Sequence, residues 1–183
     1  MRIIAGEARG RRIEAPAGKN TRPTLDRVRE NLFNMIQGEI AGRKVLDLFA
    51  GSGALAFEAL SRGAVKAFLA DHDRRASAVQ LNNAETLGYE DRVSVFTADW
   101  RKTLEKLNDS GERFDIVFLD PPYAMTELSG IFLMLVPLLE PGALIILEHE
   151  TGKKPETGQG FDCIKERGWG FCSVSVFQRN EKL

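Results

Sequence analysis

From Lys44 onward, short apolar runs alternate with longer stretches of helical period, and this rhythm restricts the chain to few architectures. The runs are Val45-Leu46-Asp47-Leu48-Phe49, Ala67-Phe68-Leu69-Ala70, Val93-Ser94-Val95-Phe96, 114–119 and 143–147. They read as strands covered on both faces, as in a parallel sheet. Between them, 52–61, 74–87, 100–107 and 125–139 read as helices, with Gly63 and Gly88 marking two helix ends. Strands alternating with helices predict an α/β doubly wound sheet. The rhythm breaks near the end. Segments 161–165 and 171–178 flank Gly168-Trp169-Gly170 and predict a terminal hairpin, after a polar loop at 151–160.

The segment before Lys44 is different. Residues 2–16 predict a short hairpin turning at Gly6-Glu7-Ala8-Arg9-Gly10. A loop follows, then a helix that Thr24 can cap, with Asp26 at its positive end. Leu25, Val28, Leu32 and Ile36 share one of its faces, and Gly38 ends it. The expected division is a basic extension over 1–43 and a catalytic domain over 44–183. With 183 residues, one domain and a short appendage are all the chain can supply.

Charge sharpens the division. The formal net charge is -1, which argues against a nucleic-acid partner until it is mapped. Residues 1–44 carry ten Lys/Arg and five Asp/Glu, a net of +5, and the rest carry 15 and 21, a net of -6. A basic head on an acidic body predicts two surfaces with different partners. Arg9, Arg11, Arg12, Arg22, Arg27 and Arg29 are the candidates for RNA phosphates. Salt bridges within the helix are the alternative for Arg27 and Arg29. Two cysteines, Cys163 and Cys172, give no disulfide framework or metal set. Glu148-His149-Glu150 looks metal-like, but three ligands on one strand end do not converge easily, so no metal is expected. No apolar stretch reaches membrane-spanning length and no secretory h-region is evident, so the expectation is a cytoplasmic protein.

In open α/β sheets, ligands bind beyond the carboxyl ends of the strands. The first strand runs into Asp47-Leu48-Phe49-Ala50-Gly51-Ser52-Gly53. Here glycines permit a tight turn, and a helix N-terminus near Ser52 offers free N–H groups. Beyond the second strand, Asp71 is placed to accept ribose hydroxyls, His72 to form a wall, and Asp73 to cap the next helix. Asp99-Trp100 follows the third. Asp99 is either an acceptor for an adenine amine or a cap, and Trp100 a packing surface. The fourth strand ends in Asp120-Pro121-Pro122-Tyr123, the most specific signal. Two prolines remove two donors and fix two φ angles, which leaves carbonyls free to accept from a ligand. Asp120 adds a carboxylate and Tyr123 a flat face. Together they form a clamp for a planar group bearing an NH2.

The run from Asp47 to Gly53 with Asp120-Pro121-Pro122-Tyr123 resembles the S-adenosylmethionine-dependent methyltransferases of exocyclic amino groups. The run from Arg22 to Asn34, with Arg2-Ile3-Ile4-Ala5-Gly6 and Arg9-Gly10-Arg11 before it, narrows the resemblance. It is similar to the bacterial small-subunit rRNA methyltransferase D family, which makes N2-methylguanine in 16S rRNA. The resemblance covers essentially the whole chain. It implies a seven-stranded Rossmann-like methyltransferase sheet with an antiparallel strand from the terminal hairpin. It also implies S-adenosylmethionine as cofactor and 16S rRNA, free or in the small subunit, as partner. Under it, Asp47, Phe49, Gly51, Ser52, Gly53, Asp71, His72, Asp99, Trp100 and Thr24 become the cofactor residues, and Asp120, Pro121, Pro122 and Tyr123 the catalytic ones. Three other readings stay open at this stage, one of them a non-catalytic RNA-binding module that has kept the fold. Adenine also offers an exocyclic amine, so an adenine-N6 methyltransferase fits the same clamp. Gly51-x-Gly53-x-x-Ala56 followed by Asp71 fits an NAD-dependent oxidoreductase.

Overall fold

In a computed structural model, which describes residues 1–15, 23–125, 128–153 and 155–180, five buried runs pair side by side as parallel strands. They are β1 (Lys44–Asp47), β2 (Lys66–Asp71), β3 (Val93–Thr97), β4 (Phe114–Leu119) and β5 (Leu139–Glu150). The hairpin strands are β6 (Phe161–Trp169) and β7 (Cys172–Arg179). The order is β3-β2-β1-β4-β5-β7-β6, with β7 inserted antiparallel between β5 and the edge strand β6. This is the seven-stranded sheet the resemblance implied. The chain order reverses between β1 and β4, so a ligand crevice belongs over their carboxyl ends.

Among the described residues, five α-helices cover the sheet: α1 (Pro23–Met35), α2 (Ala54–Ser61), α3 (Arg74–Leu87), α4 (Trp100–Asp109) and α5 (Leu128–Leu135). Two apolar cores lie on opposite faces. One joins α1 and α2 with Val45, Ile116 and Ile146; the other joins α4 and α5 with Leu46, Val117 and Ile145. Consecutive strand residues go to opposite cores, which is why the runs do not alternate with polar residues. On the first face, Ile3, Ala8 and Ile13 of the N-terminal segment and Val28, Leu32, Phe33 and Ile36 of α1 pack into one cluster with the sheet. Phe33 is fully buried with its ring 5.7 Å from that of Phe118, so Phe33→Ala would cost roughly 3–5 kcal/mol.

Two expectations change and a third is extended. The predicted helix over 125–139 is shorter. It ends at Leu135, a 3-10 turn carries Val136–Leu138, and Leu139 opens β5. Pro137 lacks the N–H that another α-helical turn would need. The predicted helix over 52–61 begins only at Ala54, because Gly53 is left-handed with φ 80. The predicted N-terminal hairpin forms as a short antiparallel pairing around the bridge Arg2↔Arg12, with Ile3 N–H donating to the Arg11 carbonyl at 3.0 Å and Ile13 N–H to the Met1 carbonyl at 3.1 Å. Its turn docks on α2. Ile4 and Ala5 N–H donate to the Glu58 carboxylate at 2.8 and 3.0 Å, Ala8 N–H to Ser61 Oγ at 3.0 Å, and Glu7 N–H to the Ser61 carbonyl at 2.8 Å. A Cβ on Gly6 would stand 1.8 Å from the Ser61 oxygen, so only glycine allows this docking.

Candidate active site

The loop after β1 is held by hydrogen bonds from outside itself. Gly51 N–H donates to Asp71 Oδ2 at 2.9 Å. The Gly51 carbonyl accepts from Gln80 Nε2 at 2.9 Å and the Ser52 carbonyl from Asn83 Nδ2 at 3.0 Å. Gln80 and Asn83 are buried on α3, so the second βα unit fixes the first unit's turn. The reason for Gly53 differs from the expectation. A Cβ there would meet Phe57 at 2.5 Å and Leu69 at 2.6 Å, so protein packing rather than ligand approach excludes a side chain.

Asp71 serves two backbone donors. Besides Gly51, its Oδ1 accepts Asp73 N–H at 2.9 Å. Asp73 caps α3 by accepting Arg75 N–H at 2.8 Å, as the sequence suggests. Asp99 caps α4, its Oδ1 accepting from Arg101 N–H at 2.9 Å and Lys102 N–H at 3.2 Å. His72 stands exposed, with Nδ1 3.5 Å from Asp71 Oδ1. Trp100 is largely buried, with the Arg101 guanidinium 4.4 Å over its ring.

These residues surround a cleft of about 640 Å³ over the carboxyl ends of the strands. Phe49, Asp71, His72, Asp99 and Trp100 line it on the side of β2 and β3. Asp120, Pro121, Pro122 and Tyr123 line it on the side of β4. The structure thus gathers nine predicted residues from four strand ends. Asp47, Gly51, Ser52 and Gly53 lie outside the lining. Thr24 and Arg22 fall outside the described side chains.

Asp47 is the most unusual group. It is 1% exposed, and neither carboxylate oxygen has a hydrogen-bond partner among the described residues. Burial, then the neighbouring charge of Asp120, push its pKa up. The Ala56 backbone pulls it down and Asp71 adds to the rise, leaving it at about 8. A carboxyl left without a donor is a complementary site for a cationic group. The α-ammonium of S-adenosylmethionine is such a group, and the acceptors Asp71 and Asp99 suit ribose hydroxyls and an amine. The residues present therefore fit that cofactor.

Tyr123 is 60% exposed, with its hydroxyl donating toward Glu148 Oε1 at 3.5 Å. Local burial and Glu148 raise its pKa to about 12, so it stays a neutral donor. Glu148 at the end of β5 also lines the cleft. Its role was not legible in sequence; the available signal was its place at a strand end beside Asp120. His149 points the other way, its Nε2 2.8 Å from the buried Ser175 Oγ. Glu148 and His149 thus diverge, as neighbours on a strand must.

The basic head divides. Arg9, Arg12 and Arg27 are exposed. Arg11 is exposed as well, but its guanidinium donates to the Thr86 and Leu87 carbonyls at the end of α3. Arg29 corrects the expectation of a phosphate contact. It is 6% exposed and donates to the Arg2 carbonyl at 2.5 Å and to Asp26 at 3.1 Å, so it stitches α1 to the N-terminal strand.

Comparison with known proteins shows the family. The family model described as Conserved hypothetical protein 95 matches residues 1–178. The ribosomal RNA small subunit methyltransferase D of Escherichia coli is 36% identical over 98% of this chain and 90% of its own. The chain belongs to the small-subunit rRNA methyltransferase D family. The Haemophilus influenzae member is 35% identical over 97% of this chain and 93% of its own. A solved Escherichia coli protein superposes with a TM-score of 0.85 at 36% identity, covering 98% of each chain. A solved Thermus thermophilus protein gives 0.79 at 30% identity, over 96% of this chain and 98% of its own.

Proposed function

We propose that the protein transfers the methyl group of S-adenosylmethionine to the exocyclic N2 amine of a guanine in 16S rRNA. The observation that carries this reading is the Asp120-Pro121-Pro122-Tyr123 turn at the rim of a cleft whose other wall bears Asp71 and Asp99. The relatives named as small-subunit rRNA methyltransferases support the substrate class.

When bound, S-adenosylmethionine supplies an electrophilic methyl on a sulfonium. Asp71 would receive the ribose hydroxyls and Asp99 the adenine amine, while Asp47 would order the loop and, through water, the cofactor's ammonium. The guanine amine is a weak nucleophile because its lone pair is delocalised into the ring. Asp120 and the Pro121 carbonyl accept its two N–H bonds and turn the lone pair toward the methyl carbon. The positive charge that grows on the amine nitrogen as it takes the methyl from the sulfonium would be stabilised by the same two acceptors. Asp120 then passes the surplus proton to water. Holding the amine in line supplies much of the remaining acceleration. Tyr123 stacks on the base, which has left its helix or loop stack to enter. Arg9, Arg12 and Arg27 hold phosphates, and the reaction takes place on cytoplasmic rRNA or small-subunit particles.

Mass spectrometry of rRNA nucleosides after incubation with the protein and labelled cofactor tests this. N2-methylguanosine is the expected product. N6-methyladenosine, or label in plasmid DNA alone, would overturn the guanine reading. Calorimetric binding of NAD without S-adenosylmethionine would overturn methyl transfer altogether.

A further inference from the structure

A second depression, of about 370 Å³, adjoins the cofactor cleft and shares Pro121, Pro122, Tyr123, Met125 and Glu148 with it. The larger cleft extends from the Pro-Pro turn toward β2 and β3. The smaller extends the opposite way, over the end of β5, where Leu128 and Pro155 add apolar wall. The catalytic turn therefore has a cavity on each side.

We infer that the smaller depression takes the target base and that Glu148 selects guanine by accepting its N1–H. The inference rests on the proposed guanine-N2 reaction and names the residue that chooses the base. Register supports it. Leu119 on β4 pairs with Leu147 on β5, so Asp120 and Glu148 follow side by side at the same level on adjacent strands. Neighbouring strands lie about 4.8 Å apart. Guanine carries N2–H and N1–H donors side by side on its Watson–Crick edge. If Asp120 and Pro121 take the N2 hydrogens, the next donor along the edge faces β5, where Glu148 stands.

Glu148 is prepared for this. The Tyr123 hydroxyl donates toward its Oε1 at 3.5 Å. Local burial and Glu148 keep the Tyr123 phenol neutral, so it remains a donor that orients the carboxylate. Pro121, Pro122, Tyr123 and Leu128 give flat or apolar walls suited to the faces of a purine, and Glu150, Lys153 and Glu156 line the rest beside Glu148. Adenine presents a bare N1 lone pair at the same place, which a carboxylate repels. A site built to accept N1–H thus rejects a base that lacks it.

The test compares guanosine with 2-aminopurine riboside at one position of a synthetic 16S rRNA hairpin, the position first mapped with the wild type. The analogue keeps the N2 amine but lacks N1–H. The wild type should prefer guanosine by roughly 100-fold in kcat/KM, the scale of a hydrogen bond to a charged acceptor. In Glu148→Gln the neutral amide can face either N1, so the preference should fall to within a few-fold. S-adenosylmethionine affinity and Tm should stay unchanged. A preference that stays at its wild-type value in Glu148→Gln would overturn the inference. So would a parallel loss on both substrates accompanied by weaker cofactor binding, which would mark Glu148 as structural. If the wild type makes no N2-methylguanosine on any rRNA, the proposed function fails, and this inference with it. If it does and the ratio does not move, the role of Glu148 alone fails.

Discussion

The N-terminal segment and the strand-end cleft use charge in opposite ways. Near the N-terminus, ionic groups are tied inward. Glu58, fully buried, accepts two backbone N–H groups from the N-terminal segment and the Arg62 guanidinium at 2.8 Å. Arg29 and Arg11 close on carbonyls. At the cleft, Asp120 and Tyr123 face solvent, and behind its lining Asp47 is buried with no hydrogen-bond partner among the described residues. Polar groups that hold a fold are satisfied within it. Groups that serve a ligand are left incomplete or exposed, because the ligand completes them. A residue's charge is therefore poor evidence of its role until its partners are known.

The contrast can be broken by substitution. Asp120→Ala should lower kcat/KM for rRNA methylation by roughly 10³-fold, the upper range for losing one charge-stabilising acceptor. Its Tm should stay within about 2 °C of wild type, since an exposed group is removed. A large Tm drop would place Asp120 with the structural charges.

Glu58→Ala should do the reverse. It strips a buried ionic network of its centre and should cost roughly 3–5 kcal/mol in denaturant unfolding. Any fraction that stays folded should keep its affinity for S-adenosylmethionine. A stable variant that no longer binds cofactor would invert the assignment.

Asp47→Asn sharpens the comparison through pH. The pKa of Asp47 is raised in the folded protein, to about 8 from 3.8, so the native state binds more protons than the unfolded chain between these values. Its contribution to stability is present below about pH 4 and is lost as pH rises to about 8. The variant without cofactor should therefore gain Tm over wild type, by roughly 4–10 °C at pH 8 and less at pH 5. Its affinity for S-adenosylmethionine should fall about tenfold. An equal Tm difference at both pH values would show that Asp47 is not the titrating group.

The smallest effect belongs to the exposed arginines. Arg9→Ala with Arg12→Ala should weaken RNA binding severalfold and reduce the slope of log affinity against log salt by about 2, with little change in Tm. Arg11→Ala should lower Tm as well, because its guanidinium ties the head to α3. If the double variant binds RNA as the wild type does at low salt, phosphate contact by the head is wrong.

The sheet was legible in sequence because burial on both faces demands continuous apolar runs, and β1 to β4 lie within two residues of where those runs predict. Asp73 and Gly88 were legible because caps act through neighbouring backbone. The motif at Asp120 was legible because two prolines and a strand leave few alternatives. The docking of the N-terminal hairpin on α2 was not, since it runs through Glu58 and Ser61, some 53 positions away. Arg29 was misread for the same reason.

The sequence by itself determined the α/β rhythm, the strand ends at which a ligand could bind, and the residue types waiting there, because these depend on periodicity and local chemistry. Tertiary structure alone decided which charges are fastened inside and which are left for a ligand. It brought Asp71 and Gln80 onto the Gly51 loop, left Asp47 without a donor, and set Glu148 beside Asp120. Such pairings depend on strand order and helix docking, which join residues far apart in the chain.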